Sequence, residues 1–342
     1  MPQNEVNAPV PVVDDTGRPG NFGWSRSPCF MYDPGLLWAP RRRISESDRY
    51  IVFSSTHLLV LEIRDDGYQG YLGISVISLK DKKRSTHIHL QPLPLGGFSL
   101  PADSTRGSIK LVRGKNRLDF AVMEGGVRIL RADFPLFGHH RSLRGELVLF
   151  EPADPESLVT HVPWRREKNS FRYSRRSPWY TVEGVVQFGS SEMIFARGSA
   201  WGIFDWSRGA RPRSDLRFWA AGCGIAGSRQ LSFSVGYGSE DASLGTENAF
   251  FVDGKLHKLD QVTFHINPAD RLLPWRFTSN DGRLEMTFIP NQERVEWTGL
   301  VFFSLARCQI CGRFSGRVIL DDGREVKFQE ITGFAERLKS SF

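Results

Sequence analysis

Two tryptophans bracket one carboxylate in the segment Trp201-Gly202-Ile203-Phe204-Asp205-Trp206-Ser207-Arg208-Gly209, and Phe218 and Trp219 follow closely. Large rings around a single acid, with glycines that let the backbone approach, can frame an apolar cavity that holds one fixed carboxyl group. Desolvated there, Asp205 would hold its proton and act as a general acid; paired with Arg208 it would stay ionised. The plain alternative is a strand-end salt bridge between Asp205 and Arg208 with both tryptophans in the core. Glu247-Asn248, just before Phe250-Phe251, offers a second acid beside an amide that donates and accepts, although turn chemistry also explains it. Asp205 and Glu247 are therefore the candidate acids. Trp201, Trp206, Arg208, Trp219, Asn248 and Trp275 are the candidate ligand contacts, each with packing as the competing explanation.

Other constellations carry less. Cys308-x-x-Cys311 is half of a zinc site without the second pair that tetrahedral coordination needs, so no metal is expected. His87 and His89 share one strand face with no carboxylate or third ligand nearby in sequence, and His139-His140 is no better placed. No nucleophile elbow, phosphate-cradling loop or dinucleotide fingerprint is present, and no cofactor is expected.

The elements that must position these residues are strands. Leu284, Met286 and Phe288 alternate with Arg283, Glu285 and Thr287; Leu231, Phe233, Val235 and Tyr237 alternate with Ser232, Ser234 and Gly236. The segments Leu118 to Val122 and Val262 to Ile266 repeat the pattern. Asp66-Gly67, Gly125-Gly126, Asp253-Gly254, Asp281-Gly282 and Asp322-Gly323 supply hairpin turns between such runs. The gaps are too short for crossover helices, which favours an antiparallel meander. Only Tyr32 to Leu37 and Phe334 to Lys339 suggest short helical pieces. Closing the meander removes its exposed edges, so the expected fold is all-β, with two fused lipocalin-like antiparallel β-barrels.

A chain of 342 residues suits two such units. Residues 1–20 read as a loose, Pro- and Asp-rich tail, 21–215 as the first barrel and 216–342 as the second. An alternative boundary is the basic stretch from Trp164 to Ser177, which has the look of an exposed crossing. The 25 Phe and 9 Trp suggest wide barrels or an apolar cavity. The net charge of +7 comes from arginines scattered among acids, with no nucleic-acid motif to direct it, so no specific nucleic-acid partner is expected. No secretory signal or run of roughly 18 apolar residues is present, which argues against a membrane span and for a cytoplasmic address. Four scattered cysteines suit free thiols. Oligomeric state is left open.

Gly23-Trp24-Ser25-Arg26, Asp66-Gly67-Tyr68-Gln69-Gly70, the Trp201 to Gly209 segment, Thr246-Glu247-Asn248-Ala249, Pro274-Trp275 and Gly333-Phe334-Ala335-Glu336 together resemble, over nearly the full length, the domain family of unknown function numbered 2804. That family is in turn similar, more remotely, to carotenoid hydratases, AttH-like proteins, tocopherol cyclases and fungal Diels-Alderases. The resemblance implies two lipocalin-like barrels, and it implies an acid at Asp205, where the hydratase branch carries a Trp-and-acid motif. The expected partner is a lipophilic, isoprenoid- or polyketide-like small molecule. It would undergo acid-assisted hydration or cyclisation, or be carried without turnover.

Overall fold

The computed structural model describes residues 3–137, 141–167, 169–300 and 303–341; His139-His140 lies outside them. All the long elements are β-strands, in two large antiparallel sheets. The first is 13-stranded and its last strand in sequence is Trp201–Ala210; the second is 9-stranded and begins with Ser214–Ala226. Each sheet curls into a barrel. In the first, Asn116 and His87 bridge the two ends of the sheet at 2.9 Å, and Arg113 reaches Gln91 at 2.5 Å. Side chains rather than backbone hydrogen bonds join these ends, since the two terminal strands are not paired with each other.

Every hairpin dipeptide named from the sequence lies between paired strands. At Asp66-Gly67 the need for glycine is steric: Gly67 has φ of 75°, and a Cβ there would stand 2.3 Å from the Arg41 carbonyl oxygen.

Three expectations need correction. Phe334 to Lys339 is not helical but part of the strand Glu325–Ser341, paired on both sides, because sheet contacts override the local preference of Ala-Glu-Arg-Leu-Lys. The segment 3–20 is not loose: Val12 is fully buried, Val10–Pro11 pairs with Phe30–Met31, and Gln3 accepts the Thr246 backbone N–H at 2.7 Å. The basic stretch from Trp164 to Ser177 is exposed only in its first half, at Arg165 and Arg166. From Phe171 it enters the strand Phe171–Phe188, and Arg172, Arg175 and Arg176 are buried.

The aromatic surplus fills the barrels. Tyr50 and Phe204 stack at 4.8 Å inside the first, Phe288 and Phe314 at 4.3 Å inside the second. The strands between the barrels are buried on both faces, as in Ile44–Phe53, His57–Asp65 and Trp201–Ala210. One face serves the barrel core and the other meets the opposite sheet.

Candidate functional site

The period-two geometry of a strand sends neighbouring residues to opposite faces. On Trp201–Ala210, Trp201, Ile203 and Asp205 face the second barrel, while Phe204 and Trp206 enter the core of the first. The inter-barrel face is graded along the strands. One half is an apolar seam that includes Ile51, Phe53, Leu58, Val60, Trp201 and Phe334. The other half is ionic.

In the ionic half, register aligns Arg176, Asp205, Arg49 and Glu62 as direct cross-strand neighbours on four adjacent strands, with charge alternating along the row. Arg49 donates to Asp205 Oδ2 from Nε at 2.9 Å and from Nη2 at 2.6 Å, then reaches Glu336 of the second barrel at 2.8 Å. Arg176 pairs with the other Asp205 oxygen and with Glu247 at 3.2 Å. Arg307 returns from the second barrel to Glu62 at 2.7 Å. Arg172 holds Glu240 and, at 3.2 Å, Glu247. These charges are taken out of water, and each gains partners at hydrogen-bond distance in exchange.

Both expected acids are thereby held ionised. Burial pushes Asp205 up, but Arg176 and then Arg49 outweigh it and leave the carboxyl far below the usual range. Glu247 is likewise pushed up by burial and brought down to about 2 by Arg172, Arg176 and Arg217, with a 2.6 Å bond from the Ser174 hydroxyl. A protonated acid at either position does not fit this arrangement. Arg208 is not the partner of Asp205 but lies on the opposite parity and donates to Asp48 at 2.8 Å.

The tryptophans divide. Trp206 is fully buried in the first barrel against Tyr173, Trp201 sits in the apolar seam, and Trp275 packs on Phe277 and Phe288 in the second barrel. They do not frame one cavity. Trp219 does stand at the site: its indole donates to Ser234 at 2.9 Å, and its ring carries the guanidinium groups of Arg49, Arg176 and Arg217 at 5.1, 4.9 and 5.6 Å. Asn248 accepts the Gly236 N–H at 2.6 Å and donates to the Asp260 carbonyl at 2.7 Å, which fixes the loop after Glu240.

At the ionic end of the junction, cavities open between the barrels. One, of about 100 Å³, is walled by Arg49, Glu62, Asp205, Arg217, Arg307 and Glu336. Its neighbour, of about 350 Å³, is lined by the apolar side chains Val162, Tyr237 and Val262 together with the charged Arg172, Glu240 and Glu247. Arg172 and Arg217 line both. Glu240 was not singled out from the sequence. Burial raises its carboxyl above the usual range; Arg172 opposes that, while Asp215 and Glu247 add to it. No group of His, Cys, Asp and Glu suited to a metal ion occurs among the described residues.

A paired-barrel β protein with a charged cleft at the barrel junction is the class that fold and site define. The chain belongs to the family described as domain of unknown function DUF2804, whose profile matches residues 3–342. No curated protein matches it. Among solved structures, CghA with Sch210972 is similar at 11% identity and a TM-score of 0.57, over 88% of this chain and 89% of that one. Kievitone hydratase from Nectria haematococca follows at 10% and 0.49, over 87% and 88%. An AttH-like protein from Nitrosomonas europaea matches at 12% and 0.49, over 86% and 92%. The similarity to CghA establishes a shared fold.

Proposed function

We propose that this protein binds a small amphipathic molecule in the cleft between its two barrels, with the buried carboxylates Asp205 and Glu247 as fixed charges of the site rather than proton donors. The observation that carries this is the 350 Å³ cavity, apolar at Val162, Tyr237 and Val262 and charged at Arg172, Arg217 and Glu240. A cavity lined by both apolar and charged side chains suits a ligand with an apolar body and a polar end. The barrel interiors, by contrast, are occupied by their own aromatic rings. CghA, which shares the fold, was crystallised with Sch210972.

Native mass spectrometry of freshly purified protein tests the proposal, with Ala242→Trp as a cavity-filling control. A small-molecule adduct in the wild type that is diminished in Ala242→Trp is expected. Ligand-free spectra for both proteins, before and after incubation with a lipid extract of the host, would remove it.

A second reading, proton donation to the bound molecule during hydration or cyclisation, is favoured by one observation. Glu240 lines the larger cavity with its carboxyl raised by burial, so it is the better proton carrier of the cleft. Ligand recovered from wild-type protein after incubation in heavy water should carry deuterium, and ligand from Glu240→Gln should not. Unlabelled ligand from both proteins would leave carriage without turnover.

A further inference from the structure

We propose that Arg217 is the anchor for an anionic head group, so that the cleft takes an organic anion of the carboxylate class with its apolar body against Val162, Tyr237 and Val262. This rests on the cleft-binding reading above and names the chemistry of its ligand.

Arg49, Arg64, Arg172, Arg208, Arg211 and Arg307 all line the smaller cavity, and each has a carboxylate oxygen within 4.0 Å. Arg217 lines the same cavity with no ion pair and no side-chain hydrogen bond among the described residues, although it is only 8% exposed. A guanidinium has five N–H donors, and a buried one without acceptors is expensive. Its Nε is shut off from solvent with nothing to donate to.

The surroundings do not make good the deficit. The Trp219 ring gives a cation–π contact at 5.6 Å. Glu247 and Asp205 attract Arg217 from beyond contact distance, but their oxygens already serve Arg172, Arg176 and Arg49. Burial, and then repulsion from Arg172, bring its pKa down to about 10, which still leaves it charged at neutral pH. The cation sits at the junction of the two cavities, where an oxyanion could take both terminal nitrogens in the planar fork that guanidinium offers carboxylates. Arg165, exposed on the wall of the larger cavity, adds a second positive group on the way in.

The test uses octanoate and its uncharged counterpart octanol as probes, titrated by calorimetry into wild type, Arg217→Met and Ala242→Trp, with thermal melts of each. Octanoate should bind wild type at least tenfold more tightly than octanol and lose that advantage in Arg217→Met, while Ala242→Trp weakens both. Arg217→Met should melt no lower than wild type, because it removes an unpaired buried charge. Equal binding of both probes by wild type and Arg217→Met would overturn the anion anchor and leave the cleft-binding reading standing. No binding of either probe would overturn the anchor, and ligand-free native spectra beside it would remove that reading as well. An Arg217→Met protein that fails to fold or melts much lower would make Arg217 a structural cation and likewise overturn the anchor.

Discussion

Asp205 and Arg49 stand opposite each other on adjacent strands, joined by bonds of 2.9 and 2.6 Å, and the same guanidinium crosses to Glu336 of the other barrel at 2.8 Å. A carboxylate used in this way ties the two barrels together. Replacing it by Asn leaves Arg49 and Arg176 short of a buried partner, so Asp205→Asn should lose about 3–5 kcal/mol of stability. Denaturant unfolding measures this; a midpoint unchanged from wild type would contradict it.

Arg307 and Glu62 make a second crossing between the barrels at 2.7 Å. A double-mutant cycle with Arg307→Met and Glu62→Leu should return a coupling of about 2 kcal/mol, with the double variant more stable than either single one, since no lone charge is then buried. Additive effects would show that the pair does not hold the junction.

Acid should loosen the same network. Glu247 is held down to about 2 in the folded protein, so the unfolded chain binds the proton first as pH falls. The stability it contributes is complete above the ordinary glutamate range and drains away between there and about pH 2. Glu247→Gln should therefore be less stable than wild type at pH 7, and the gap should narrow by pH 3. Denaturant midpoints across that range read it directly; a constant gap would refute the ionised role.

Trp206 lies on the barrel side of its strand, and Trp219 lies under Arg49 and Arg217 of the cleft and under the buried Arg176. Trp206→Ala should cost about 3–5 kcal/mol and leave octanoate affinity unchanged, whereas Trp219→Ala should weaken octanoate binding. A loss of affinity in Trp206→Ala alone would reverse the assignment.

Much of the fold was legible because it is local. Alternation placed Leu284, Met286 and Phe288 inside, and the Asp-Gly dipeptides marked the turns. The site was half legible. Asp205, Glu247, Trp219 and Asn248 do meet at the barrel junction. Parity along a strand already separates Trp206 and Arg208 from Asp205, a signal that grouping by nearness in sequence passed over. What no local pattern carries is the pairing of Arg49, Arg176 and Arg307 with acids that lie 29 to 287 residues away. Within the stretch from Trp164 to Ser177, Arg172 and Arg176 looked exposed for the same reason: they meet Glu240, Glu247 and Asp205 only once the barrels form. Glu240 owes its place to the antiparallel bridge between Trp164 and Glu240, which composition does not announce.

The location of bound ligand is the most direct test of the account, and the indole N–H resonances of the tryptophans report it during an octanoate titration. Trp164, whose indole donates to Asp215 at the smaller cavity, and Trp219 should shift with ligand while Trp206 and Trp275 stay still. Shifts confined to Trp206 or Trp275 would put the ligand inside a barrel and contradict a site at the junction.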